Sequence, residues 1–146
     1  MTMTQPVPIA PGLFRETEDG PHLVASQCAV CSPPVVTFPS QPDCPRCAGD
    51  DMKELLLPRQ GTLWTFTTQQ FIPKSPPYAI VETPETFQPF AVGYVEFGGL
   101  VKVEGRLTEP DAAKLEIGME MEVVVVPFRT DDDGNQVTTF AFQPVG

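Results

Sequence analysis

The chain has 146 residues, 18 of them proline, and a formal net charge of −10. That length allows one ordinary domain or two small ones. No apolar run approaches the roughly 18 residues that a membrane-spanning helix needs. Phosphate binding calls for clustered Lys and Arg, but the 9 basic residues are scattered from Arg15 to Arg129, which argues against a generic nucleic-acid binder.

Residues 1–22 read as an N-terminal arm. The opening MTMTQPVPIAPG carries no charged side chain and contains Pro6, Pro8 and Pro11. It has neither the basic n-region nor the long apolar stretch of a signal peptide. Reduced cysteines and a cytoplasmic location are therefore expected. Leu13-Phe14 is an apolar pair in polar company. It belongs either to a disordered tail or to an anchor that packs on the next module or on a partner. The only histidine, His22, follows Pro21 outside any periodic element. A lone histidine in that setting is more often solvent-exposed or a local hydrogen-bond partner than a base.

Residues 23–57 read as a four-cysteine ribbon with its connector. Cys28, Cys31, Cys44 and Cys47 are the only cysteines and form two C-x2-C hooks. Two such hooks can set four thiolates at the corners of a tetrahedron, the geometry of a structural Zn2+ site. Paired disulfides and a redox C-x-x-C fit less well, since no cysteine is spare. Iron is a smaller alternative, because the same ligands accept it. One ion per chain would have its coordination filled by protein, leaving no position for water or substrate. Val35, Val36 and Phe38 lie between the hooks, placed to pack over the metal.

Residues 58–146 read as a barrel. Strand patterns run over Thr62–Phe71, Ala91–Phe97, Leu100–Leu107, Met119–Phe128 and Val137–Phe142. Gly98-Gly99 signals a two-residue hairpin. A short helix is expected after a capping box at Thr108–Asp111, with Gly118 as its stop. Three strands, a helical turn and two strands is the order of a five-stranded OB fold. The fold class is thus mainly β: arm, zinc ribbon, OB-fold barrel. The expected core contains Leu63 or Trp64, Phe66, Val92, Val95, Val101, Val103, Val123, Val125 and Phe140. Asp131–Asn135 reads as a solvated turn. It is not a calcium loop, because Gln136 and Phe142 stand where such a loop needs Gly and Glu.

Ile72 to Phe90 breaks the strand series. A connection this long in a compact domain is usually functional or disordered. Tyr78, Phe87 and Phe90 are too apolar for a linker, and five prolines from Pro73 to Pro89 brace the segment. It is read as a packed loop on a binding face, with these aromatics and Phe14 as candidate partner contacts.

No catalytic equipment is evident. The chain has no spare cysteine, no nucleophile elbow, no Walker loop and no dinucleotide fingerprint. The knuckles CAVC and CPRC, followed by RQGTLWTFTTQQF, PPY, PFAVGYVEF, VKVEGRL, LEIGMEMEVVV and FAFQP, resemble zinc-ribbon/OB-fold proteins of the domain-of-unknown-function 35 (DUF35) family. Ser32 and Ala48 depart from the pattern, because ribbons often carry Gly after each hook.

The resemblance implies a non-catalytic accessory subunit of a thiolase-superfamily enzyme, thiolase or aldolase, or alternatively of a hydratase. Such complexes act on acyl-CoA thioesters. Coenzyme A phosphates would need cations, and Arg46, Arg59 and Lys74 near the ribbon–barrel junction are the candidates. A free-standing acyl-CoA-binding or regulatory protein is the alternative function, and a nucleic-acid-binding OB module is a more distant one.

Overall fold

A computed structural model describes residues 7–10, 12–70, 88–130 and 132–145. Among the described residues, ten strands follow in chain order: β1 (Val7–Pro8), β2 (Phe14–Thr17), β3 (Gly20–Cys28), β4 (Val36–Thr37), β5 (Met52–Leu56), β6 (Gln60–Gln69), β7 (Phe90–Phe97), β8 (Val101–Leu107), β9 (Glu120–Thr130) and β10 (Gln136–Pro144).

The first module is a small antiparallel sheet centred on β3. Strand β2 pairs with its start through Phe14↔Leu23, β5 pairs with Val24–Cys28, and β4 pairs at Ser26 and Gln27. Thus Phe14–Thr17, read from sequence as part of the arm, forms a hairpin with β3. Buried Ser26 ties down the inter-hook loop: its Oγ lies 2.6 Å from Thr37 Oγ1 and accepts from Gln41 N at 2.9 Å.

The second module is a closed five-stranded barrel. Strands β6, β7 and β8 form a meander, β8 meets β10 in parallel, β10 pairs with β9, and β9 returns to β6. This is the OB order expected from sequence. The β7–β8 connection turns through Gly98 and Gly99, whose φ angles of +60° and +70° suit the hairpin geometry expected there.

The expected helix is one 3-10 turn, Ala112–Lys114. Asp111, not Thr108, caps it by accepting from Ala113 N at 2.9 Å. The following Leu115 has extended backbone and buries its side chain, so the barrel core takes the apolar group the helix would have used.

Both modules share one core. Leu23, Ala25 and Leu57 pack with Leu63, Val95, Phe97, Val103, Met121, Val123 and Phe142. The inner face of β6 is fixed by Leu63, fully buried, against Trp64 at 51 % exposure. Val92 does not belong to the core. Ala91, Gly93, Val95 and Phe97 form the buried face of β7, and a period of two puts Val92 on the other face. Phe38 from the ribbon meets Phe140 of the barrel edge to face, with centroids 5.6 Å apart.

Candidate metal centre and binding surfaces

The four cysteine sulfurs converge. All Sγ atoms lie within 4.8 Å of one another, with Cys28–Cys47 and Cys31–Cys44 each at 3.8 Å. A disulfide would need about 2.05 Å, and all four are free thiols. A metal–sulfur bond of about 2.3 Å implies tetrahedral edges of about 3.8 Å, so the donor set fits a tetrahedral ion. Backbone N–H groups point at the sulfurs. Val30 N and Cys31 N donate to Cys28 Sγ, Arg46 N to Cys44 Sγ and Gly49 N to Cys47 Sγ, each at 3.4 Å.

These donors favour thiolate. The backbone N–H of Cys47, opposed by burial and helped by that of Arg46, lowers Cys44 to about 7. Burial, followed by the neighbouring sulfurs, raises Cys31 to about 12. A cluster in which one thiolate suppresses ionisation of the next is one that a cation stabilises. The second knuckle closes with Ala48 at φ 60°, its N–H donating to Cys44 O at 2.9 Å. The sequence departure at Ala48 therefore puts a side chain in the left-handed region.

The candidate cations separate. Arg46 is exposed and spans the knuckles, with Nη1 donating to Pro33 O at 3.2 Å. Arg59 lies at the ribbon–barrel seam. Its Nη2 is 3.5 Å from Val123 O and 3.8 Å from Glu122 Oε1, and its Nε is buried without a partner among the described residues. Lys74, Tyr78 and Phe87 lie outside the described residues. Phe14 is half-buried against the shared core. His22 lies within strand β3, not outside a periodic element as expected, and its Nδ1 donates at 2.8 Å to Leu57 O, 35 residues along the chain.

Two surface groupings escaped the sequence reading. On the outer barrel face, Trp64 meets Tyr94 edge to face at 6.3 Å, and Lys102 Nζ lies 4.3 Å from the Trp64 ring centre. Farther along, the Arg106 guanidinium stacks 3.8 Å over the Phe90 ring. That stack lines a groove of about 370 Å3 together with Val92, Val126, Pro127 and Phe140. Strand alternation already puts Phe90, Val92 and Tyr94 on one face. Only the β7–β8 register brings Arg106 to Phe90.

A four-cysteine ribbon packed on a closed OB barrel defines the class of this protein. Residues 56–126 match the family model described as ChsH2, C-terminal OB-fold domain. Relatives it is similar to carry the DUF35 designation that the sequence motifs resemble. It is 24 % identical over 134 residues to a DUF35 domain-containing scaffold protein of Methanocaldococcus jannaschii, covering 90 % of this chain and 88 % of that one. It is 26 % identical to benzoylsuccinyl-CoA thiolase subunit BbsA of Thauera aromatica, covering 92 % and 86 %. A solved structure titled Ltp2-ChsH2(DUF35) aldolase shares the fold, with a TM-score of 0.58, 24 % identity and 84 % of each chain covered.

Among the described residues, no helix is long and apolar enough to cross a membrane.

Proposed function

We propose that this chain is a non-catalytic accessory subunit of a thiolase-superfamily enzyme, thiolase or aldolase, that acts on acyl-CoA thioesters. The observation that carries the reading is the nature of its relatives. They are named scaffold protein and thiolase subunit, and they align over nearly their whole length. The chemistry of this chain agrees. Its only histidine donates to a backbone carbonyl, and its four cysteines form one cluster. A partner must therefore supply the nucleophile and the acid–base groups.

The ion we assign to the cluster is Zn2+, one per chain, with a structural role. Four thiolates fill its tetrahedron, and the 3.8 Å sulfur edges suit its bond length. Arg46 and Lys74 are the proposed contacts to coenzyme A phosphates. Arg59, which reaches Val123 and Glu122 at the seam, is a third proposed contact and also joins the two modules. Tyr78, Phe87 and Phe90 are proposed partner contacts, and the cytoplasm is the proposed location.

The test is affinity purification of the tagged chain from its own cells, with native mass spectrometry and metal analysis. The expected product is a heteromeric complex containing a thiolase-superfamily subunit and one zinc per accessory chain. The isolated chain should turn over no acyl-CoA thioester. Turnover by the isolated chain at enzymatic rates overturns the reading.

A further inference from the structure

The barrel is closed at β8 and β10 by very little. Among the described residues, the only pair between these strands is Leu107↔Phe142, with Thr108 N donating to Phe142 O at 2.9 Å. Strand β9 covers the other edge of β10 along its whole length. The free edge of β10 carries one further neighbour, β1 of the arm. It pairs in parallel at Val7↔Val137 and Pro8↔Thr138, and Ile9 N donates to Thr138 O at 2.7 Å. The arm thus shows that this edge accepts a parallel strand.

The arm stops short. The carbonyls of Thr138 and Phe142 both point away from β9, so by alternation the N–H and C=O of Phe140 point to the same edge. No strand pairs there between Thr139 and Ala141 among the described residues. The groove beside Phe90, Arg106, Val126, Pro127 and Phe140 opens along this stretch. Its walls are mostly apolar, with Glu104 and Arg106 as the charged lining residues. Arg106 is stacked on Phe90, and no carboxylate pairs with it among the described residues.

We propose that the cleft between β8 and β10 is a docking site for an extended segment of the partner subunit, with the arm as its resident cover. The docked segment would run parallel to β10, replace β1 and continue past Phe140. It would place apolar side chains against Val126, Pro127 and Phe90 and a carboxylate beside Arg106. Main-chain hydrogen bonds to an open edge supply affinity in this mode, and side-chain pockets supply specificity. The carboxylate follows from charge: Arg106 is the cation lining the groove, and the carboxylate that also lines it, Glu104, accepts from Tyr94 and forms no ion pair with Arg106 among the described residues. The proposal rests on the accessory-subunit reading.

The experiment uses the full-length chain and the heteromeric complex purified from its own cells. Backbone amide exchange over residues 138–142, read by mass spectrometry, should slow strongly in the complex relative to the free chain. Ile9→Pro removes the arm's N–H to Thr138. It should tighten the complex about threefold or more, because a competing cover is lost. Arg106→Met keeps an unbranched chain of similar length that can lie over Phe90 and removes the charge. It should weaken the complex about tenfold and flatten its salt dependence.

A purified complex with unchanged exchange at 138–142, and with Ile9→Pro affinity equal to or below wild type, overturns the docking site and leaves the accessory-subunit reading intact. Absence of any complex overturns both.

Discussion

Gly20 and Arg59 meet where the β2–β3 hairpin rests on the barrel: a Cβ on Gly20 would lie 2.7 Å from the Arg59 guanidinium carbon. The same guanidinium reaches Val123 O and Glu122 across the seam. Its charged plane therefore fills the space that the missing side chain leaves. Gly20 also has φ +115°, outside the range L-residues prefer. Gly20→Ala should cost about 1–3 kcal/mol from backbone strain, before the displacement of Arg59 is added. Urea unfolding of the metal-loaded protein measures it. A midpoint equal to wild type would mean the hairpin does not bear on Arg59.

Metal removal should reach beyond the ribbon. Metal-nucleated folds gain on the order of ten kcal/mol from Zn2+, and here the ribbon strand β3 lends Leu23 and Ala25 to the barrel core. Cys44→Ser should lose the metal, disorder the segment between the hooks and lower the melting temperature of the barrel as well. Metal analysis and calorimetry check both parts. A barrel melting at its wild-type temperature without metal would separate the two cores.

Ala48→Gly should stabilise the second knuckle. Ala48 sits at φ 60°, and a left-handed L-residue costs about 1–2 kcal/mol relative to glycine. The measurement is resistance to a chelator: the variant should release its ion more slowly. Faster release would show that the αL strain is offset elsewhere in the knuckle.

The ion pair across the ribbon gives a pH test. Arg15 Nη1 donates to Glu54 Oε2 at 2.9 Å, joining β2 to β5 across β3. This hydrogen bond, opposed by partial burial and helped by the Arg15 charge, holds Glu54 below its ordinary 4.5. A depressed carboxylate stabilises the fold above its unfolded pKa and loses that contribution as pH falls through its folded value. Glu54→Gln should therefore be less stable than wild type at pH 7, by a small and salt-sensitive margin, since both side chains are about half exposed. The two proteins should converge once the pH has fallen below the depressed folded-state value of Glu54. A difference that persists at lower pH would assign the effect to packing.

The barrel was legible because its signals are local. The alternation of Val101, Val103 and Leu107 with charged neighbours, and the Gly98-Gly99 turn, each declare a strand or a hairpin. The cysteine hooks declare a shared site by spacing alone. The β2–β3 hairpin was less visible, because Phe14–Thr17 is short and mixed and gains its partner only from register. The seam position of Arg59 was hidden for the same kind of reason. A cation beside a proline and a glycine looks solvated until the seam places Glu122 and Val123 against it. The groove at Phe90 and Arg106 depends on two strands meeting in one register, which no single-strand pattern carries. The helix expected after Thr108 shrank to one turn because Leu115 serves the core from extended backbone.

Strand phase in β7 and β8 supplies the last prediction. Val103 is 3 % exposed inside the barrel, paired across from Val95. Val92 pairs with Arg106 and lies on the outer face beside the groove. Aspartate at 103 would bury a carboxylate with no partner, which costs several kcal/mol. Aspartate at 92 can reach solvent and sits opposite a cation. Val103→Asp should therefore abolish cooperative unfolding at room temperature, while Val92→Asp should retain it with a modest loss. Thermal scans of the two metal-loaded variants decide the matter. Equal damage from both would mean that the barrel wall is buried on its outer side as well, and near-wild-type behaviour of Val103→Asp would overturn the strand phase itself.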